Sequence, residues 1–245
     1  MPRHVTVEDR EGIALVRIDR PPANAMDLEL LEDGASVLEE LGTDPPDAIV
    51  LTGREGFFSA GVDLKLAPTL DAQGQRGMVA GINRAFAGWY SFPRPVVCAV
   101  NGHAIAGGLI LALCGDHRIG TTEGKLGLTE LRAGVPYPAV AMAVVRAELS
   151  KAAARRLVLG SELIGMQEAL ERQLLDELSP ADEIVERALV RAAQMAAAPS
   201  ETYATVKRQL RGDVLDAVNS GRDDPLAENW LSDGTAAAAR GILDG

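Results

Sequence analysis

The chain has 245 residues, 47% of them hydrophobic and 24% charged, which is the composition of an ordinary globular protein with material for a sizeable core. Its formal net charge of −11 at pH 7 argues against nucleic-acid and anionic-membrane partners, because neutralising phosphates takes clustered Lys and Arg. An anionic small ligand stays admissible, since it needs only a local positive spot.

Residues 4–8 and 13–19 alternate apolar and polar side chains around Asp9-Arg10-Glu11-Gly12, which predicts a β-hairpin. Arg20 to Met26 reads as an irregular link. Asp27 is placed to cap a helix with Leu30, Leu31, Val37, Leu38 and Leu41 on one face, stopped by Gly42 and Pro45-Pro46. A strand follows over 48–52. Residues 68–75 are polar and Gly-containing and read as a mobile loop. A helix over 76–90 places Met78, Ile82, Phe86 and Trp89 at helical spacing, a pattern that serves a core or a pocket wall. Ser91 to Pro95 breaks it before a buried strand ending at Val100. Short strands are expected at 116–120 and 125–129, and helices at 138–149, 151–159, 181–197, 200–218 (with Ser200 as its cap) and 223–245. Strand–helix alternation from Ala48 onward predicts stacked β–α units.

Two stretches carry chemistry. The first runs Cys98-Ala-Val-Asn-Gly-His-Ala-Ile-Ala-Gly107-Gly108 into the apolar helix Leu109 to Leu113. Paired glycines opening a buried helix mean that backbone approaches something closely. The unpartnered N–H groups there suit an oxygen that becomes negative during a reaction, or else the glycines serve tight packing alone. The second follows the strand 48–52 and reads Phe57-Phe-Ser-Ala-Gly-Val-Asp-Leu-Lys65. Each loop can supply one N–H to a single carbonyl oxygen.

Together the loops resemble the enoyl-CoA hydratase/isomerase (crotonase) superfamily, whose Phe-Ser-Ala-Gly-x-Asp-x-Lys and Pro-Val-x-Ala-x-Asn-Gly-x-Ala-x-Gly-Gly motifs are matched nearly step for step. The likeness extends from about residue 13 to about residue 210. It implies an α/β fold, a spiral of repeated ββα units, although no internal repeat is visible in the letters. It also implies a core over residues 1–195 bearing an acyl-CoA site, with helical residues 196–245 packing a homotrimer or dimer of trimers. No metal or prosthetic group is implied; coenzyme A enters as part of the substrate. By position, the oxyanion donors are the backbone N–H groups of Val62 and Gly107. Ala60, Asp63, Leu64 and Lys65 fall beside the coenzyme A, as do Arg20 and Ala23 from an Arg-Pro segment one residue shorter than the family's.

The family's hydratases use two glutamates. The first position, three residues past the oxyanion glycine, is Ile110 here; the second is Glu130. Holding a water and reprotonating the α-carbon are shared by two carboxylates, whereas one suffices to carry a proton between C2 and C4. A dry site would also raise the Glu130 pKa toward neutrality. The expectation is double-bond isomerisation, with hydration as the alternative and a catalytically weak acyl-CoA binder as the reading from another class. Where the family often continues Gly-x-Pro-Gly-Ala-Gly-Gly, this chain has Gly134-Val-Pro-Tyr137-Pro138, so the acyl pocket is reshaped; Tyr137 either offers a hydroxyl or fills space, and filling is the favoured reading. Cys98 and Cys114 read as core residues and His103 as a turn or core residue, with Asp116-His117-Arg118 forming structural hydrogen bonds. The three histidines lack metal-ligand spacing. Neither a Gly-x-Ser-x-Gly elbow nor a Gly-x-Gly-x-x-Gly loop is present around Ser59 or Gly107. No apolar leader opens the sequence and no run reaches the ~20 residues of a membrane span, so a cytoplasmic enzyme is expected.

Overall fold

The computed structural model describes residues 3–219, 224–232 and 234–243. Its first hairpin pairs β1 (Val5–Arg10) with β2 (Ile13–Ile18) antiparallel, Val5 opposite Ile18. α1 (Leu28–Thr43) follows, and the Asp27 carboxylate accepts from the Leu30 N–H as expected of a cap.

The chain then winds in turns of two strands and a helix. The first turn is β3 (Ala48–Thr52), β4 (Gly56–Ser59) and α2 (Ala72–Ser91). The second is β5 (Val96–Val100), β6 (Gly102–Ile105) and α3 (Gly107–Leu113). The third is β7 (His117–Gly120), β8 (Lys125–Gly127) and the single-turn α4 (Glu130–Ala133). In each turn the first strand joins one sheet and the second strand joins another. α5 (Ala139–Glu148), α6 (Lys151–Ala154), β9 (Leu163–Gly165), α7 (Met166–Glu171) and β10 (Glu177–Leu178) follow. The strand orders are β1-β2-β3-β5-β7-β10 and β4-β6-β8-β9. Past the first hairpin the larger sheet is parallel.

Parallel strands covered on both faces need continuous apolar runs, and β3 and β5 are buried at every position. Because successive side chains alternate faces, Val50, Val97 and Ala99 turn toward α8 (Ile184–Ala196), meeting its Ala188 and Ala192. Ile49, Leu51 and Cys98 turn into the main core with α2, α3 and α5. α9 (Ser200–Asn219) is tied down by a buried ionic group: Lys207 and Arg211 meet the Asp116 carboxylate at 2.7 and 3.2 Å. Arg211 also donates to the carbonyls of Tyr90, Cys114 and Gly115. Asp116 and Arg118 are structural, as read, and His117 bonds Glu177.

Several boundaries differ from expectation. Residues 68–75 are not a loop throughout, because Asp71 accepts from the Gly74 N–H and starts α2 at Ala72. The helix expected at 151–159 widens into a π-turn over Arg155–Leu159. Ser200 is the first residue of α9 instead of its cap. The tail is not one helix: 224–232 is an irregular strap, and only Thr235–Leu243 forms α10. Asp223, Leu243's successors and the other ends of that expected span lie outside the described residues. Among the described residues no helix is long and apolar enough to cross a membrane, and no cluster of three or more His, Cys, Asp or Glu could hold a metal ion.

Candidate active site

Two chain crossings build the site. The link from Arg20 to Met26 is locked to β2 and β4 by Asn24, whose buried side chain donates to the carbonyls of Ile18, Phe57 and Phe58. Ser59 returns a bond from its hydroxyl to the Asn24 carbonyl at 2.7 Å. Met26 and Val62 then pair as a parallel bridge, Met26 N–H reaching the Gly61 carbonyl and Asp63 N–H reaching the Met26 carbonyl.

The loop after β4 presses directly on the start of α3. Gly61 has φ +79°, and a Cβ there would stand 2.8 Å from the Gly107 nitrogen. Gly108 is held as tightly, since its Cβ would meet the Ser59 carbonyl oxygen at 2.1 Å. Only glycine permits this approach. Ala106, just before α3, holds φ 53° although it is not glycine, a conformation that costs about 1–3 kcal/mol and persists where surrounding structure enforces it. Among the described residues no backbone acceptor takes the Val62 or Gly107 N–H, and both residues line one cavity of about 460 Å³.

That cavity gathers the predicted site residues. Ala23, Ala60, Val62, Asp63, Leu64, Lys65, Gly107, Ile110, Glu130 and Tyr137 all line it. Lys65 is exposed at the cavity's edge. The Asp63 carboxylate is engaged by Arg20 at 3.2 Å and by the Lys65 N–H at 3.0 Å, so it braces the loop. Arg20 also meets Asp27 at 2.7 Å. Ile82 and Phe86 of α2 line the cavity while being buried, so they are pocket wall and core at once.

Glu130 opens α4 and is 8% exposed. Burial pushes its carboxyl up from 4.5 to about 7, against a lowering hydrogen bond from Tyr137. That bond, Tyr137 Oη to Glu130 Oε2 at 2.8 Å, corrects the reading of Tyr137 as filler. The Val-Pro-Tyr-Pro sequence turns the ring inward after the left-handed Gly134, so the hydroxyl reaches the carboxylate seven residues back. Burial and the neighbouring charge keep the phenol protonated and therefore a donor. Ile110 is 2% exposed and gives the cavity an aliphatic side chain. His103 lies outside the cavity lining, half-buried in β6 with its ring centroid 4.9 Å from that of Phe57.

Sequence reasoning missed Trp230, which comes from the strap and lines the cavity with 1% exposure. A lone Trp in a polar tail signals burial, and nothing in the letters says against what. Asn24 was likewise passed over as a link residue, although an Asn at positive φ often ties neighbouring backbone.

Stacked ββα turns that bring two glycine-bearing loops and one buried carboxyl to a single cavity place the chain among crotonase-fold proteins. The chain belongs to the enoyl-CoA hydratase/isomerase family, whose model matches residues 8–225. It is 30% identical over 197 residues to a Mycobacterium tuberculosis protein named probable enoyl-CoA hydratase EchA17, covering 80% of this chain and 76% of that one. Its fold matches human mitochondrial delta3-delta2-enoyl-CoA isomerase with TM-score 0.92 and 26% identity, over 99% of this chain and 97% of the other. It matches enoyl-CoA hydratase EchA3 of Mycobacterium ulcerans with TM-score 0.84 and 26% identity, over 96% and 99% of the two chains.

Proposed function

We propose that the protein shifts a double bond along an acyl-CoA thioester, turning a 3-enoyl chain into its 2-enoyl isomer, with Glu130 carrying the proton. The observation behind this is the pairing of one buried carboxyl with an aliphatic Ile110 in the same cavity, where a hydratase of this family would have a second carboxylate. Ionised Glu130 takes a proton from C2. The C–H electron pair moves into the conjugated system and the thioester oxygen becomes an enolate oxygen, held by the Val62 and Gly107 N–H groups. Glu130 returns the proton to C4, leaving the double bond between C2 and C3. Each oxyanion donor is typically worth ~10²–10³ in rate. A carboxyl pushed up to about 7 suits both halves, because it is a better base than a solvated carboxylate and is partly ionised near neutrality.

Tyr137 fits the same cycle: its bond holds Oε2, and this reading assigns the proton transfer to Oε1. Lys65, which lines the cavity and is exposed, is the residue this reading assigns to the coenzyme A phosphates. The reading needs no metal or prosthetic group, and it carries with it a homotrimer or dimer of trimers in the cytoplasm.

Hydration of a 2-enoyl thioester is the second reading. It is favoured by the Tyr137 hydroxyl, a second polar group beside Glu130, and by the names of the hydratase relatives. Following the conjugated-thioester absorbance with 3-hexenoyl-CoA and 2-hexenoyl-CoA separates the two. Faster gain of absorbance from the 3-enoyl substrate supports isomerisation. Faster loss from the 2-enoyl substrate, undiminished in Ile110→Ala, would overturn it.

A further inference from the structure

The cavity is lined by two unlike sets of residues. Arg20, Asp63 and Lys65 come from the loops assigned to coenzyme A. Ile82, Phe86, Ala133, Val135 and Ala141 line the same cavity from other elements, and Trp230 joins them. These five carry no polar side-chain atom, and the Trp230 Nε1–H is spent on the Pro136 carbonyl at 2.9 Å. Outside the coenzyme A loops, the polar side chains lining the cavity besides the Trp230 indole are Thr129, Glu130 and Tyr137, and none of the five apolar residues could receive a hydroxyl or carboxylate on the substrate's tail. Burying such a group without a partner is costly.

Trp230 is carried by a segment with no regular structure, yet the segment is firmly pinned. The Asp224 carboxylate accepts from the Ala139 N–H at 2.6 Å and from the Asn83 side chain at 2.8 Å, joining the start of α5 to α2. The Leu231 N–H donates to the Gln75 side chain at 3.0 Å, a second tie to α2. Beyond it, the Thr235 hydroxyl donates to the Gly134 carbonyl at 2.9 Å. The strap therefore spans from α2 to the 134–139 segment, and the indole fills the space beneath it. Glu228 and Asn229, just before it in the chain, are exposed, while Trp230 is 1% exposed. A cavity of about 460 Å³ lies toward the small end of ligand pockets and must also admit the thioester, which leaves room for a limited tail.

We propose that Trp230 is a specificity-determining residue that ends the acyl pocket, so that the enzyme takes unsubstituted hydrocarbon acyl chains of short to medium length and rejects longer or polar-ended ones. This rests on the acyl-CoA reading of the site but not on which reaction follows. A longer tail has to displace the indole, and its Pro136 bond and the strap's ties oppose that. Shortening residue 230 opens the pocket between α2 and α5 and lets a longer tail run outward.

The test compares 3-hexenoyl-CoA with 3-dodecenoyl-CoA in turnover, and the saturated hexanoyl and dodecanoyl thioesters in calorimetric binding. Wild type is expected to favour the hexenoyl chain. Trp230→Ala should raise the dodecenoyl-to-hexenoyl ratio of kcat/KM at least about tenfold, the scale at which apolar pockets discriminate chain size. Trp230→Leu, which keeps an apolar plug and more of the packing, should raise the ratio less. Ala141→Leu, which adds bulk to the apolar lining from α5 and leaves the strap's own residues unchanged, should lower it. A purely structural Trp230 would depress both chains alike and leave the ratio unmoved, and that result, or a wild type that prefers dodecenoyl, overturns the proposal. If wild type turns over neither enoyl substrate while the saturated thioesters still bind with a length preference that Trp230→Leu relaxes, the isomerase reading fails and this one stands.

Discussion

Replacing Glu130 with Gln removes the charge but keeps the shape, and it separates the chemistry of this carboxyl from its cost to the fold. Burial raises the group from 4.5 to about 7, so between those values the folded protein holds a proton that the unfolded chain has released. The carboxyl's effect on stability is therefore least unfavourable below about pH 4.5, worsens as pH climbs to about 7, and is level above. The full shift corresponds to about 3 kcal/mol at 1.36 kcal/mol per pH unit. Glu130→Gln escapes this penalty. Its stability relative to wild type, from urea unfolding, should improve by about 2–3 kcal/mol between roughly pH 5 and roughly pH 8.5, on top of any constant offset from the altered Tyr137 bond. The same variant should lose isomerisation by at least the ~10²–10⁴ that a positioned acid–base contributes, while acyl-CoA binding persists. A stability difference that does not change with pH would refute the reasoning, since it would mean that the carboxyl titrates as it does in the unfolded chain. Retained turnover would reassign the base, and a wild type without turnover would leave only a binding protein.

Three further variants probe the surroundings. Tyr137→Phe deletes a bond that lowers the Glu130 pKa, worth about 1.5–3 kcal/mol for a charged acceptor, so the acid limb of the kcat/KM profile should move from about 7 upward by about one pH unit or more. Ile110→Glu supplies the absent carboxylate, and assays of both enoyl substrates should show the hydration-to-isomerisation ratio rising; an unchanged ratio would show that Ile110 does not face the reacting carbons. Gly108→Ala drives a methyl into the Ser59 carbonyl, 2.1 Å from where it must sit, and chemical denaturation should record a loss of about 3 kcal/mol together with lost turnover.

Much of the fold was legible because its signals are local. Asp27 caps α1, the continuous runs of β3 and β5 announce strands buried on both faces, and Gly61, Gly107 and Gly108 mark where two loops touch. The resemblance supplied the order of the ββα turns, and the cavity gathers the residues it nominated. What escaped depends on contacts distant in sequence or on geometry. Tyr137 looked like bulk because nothing in Val-Pro-Tyr-Pro says whether a ring turns inward, and its bond to Glu130 follows from the turn at Gly134. Trp230 reaches the cavity from nearly a hundred residues beyond its Pro136 partner, guided by Asp224 and Leu231 pairing with side chains of α2. The π-turn at Arg155–Leu159 lies in a run whose apolar spacing suits an ordinary helix equally well.

A crystal structure with hexanoyl-CoA bound tests the central claim most directly. The account predicts the thioester oxygen accepting from both the Val62 and Gly107 nitrogens at about 2.7–3.1 Å, with Glu130 Oε1 over C2 and the tail ending against Trp230. A thioester oxygen that meets neither amide, or a Glu130 carboxyl turned away from the acyl chain toward solvent, would contradict it.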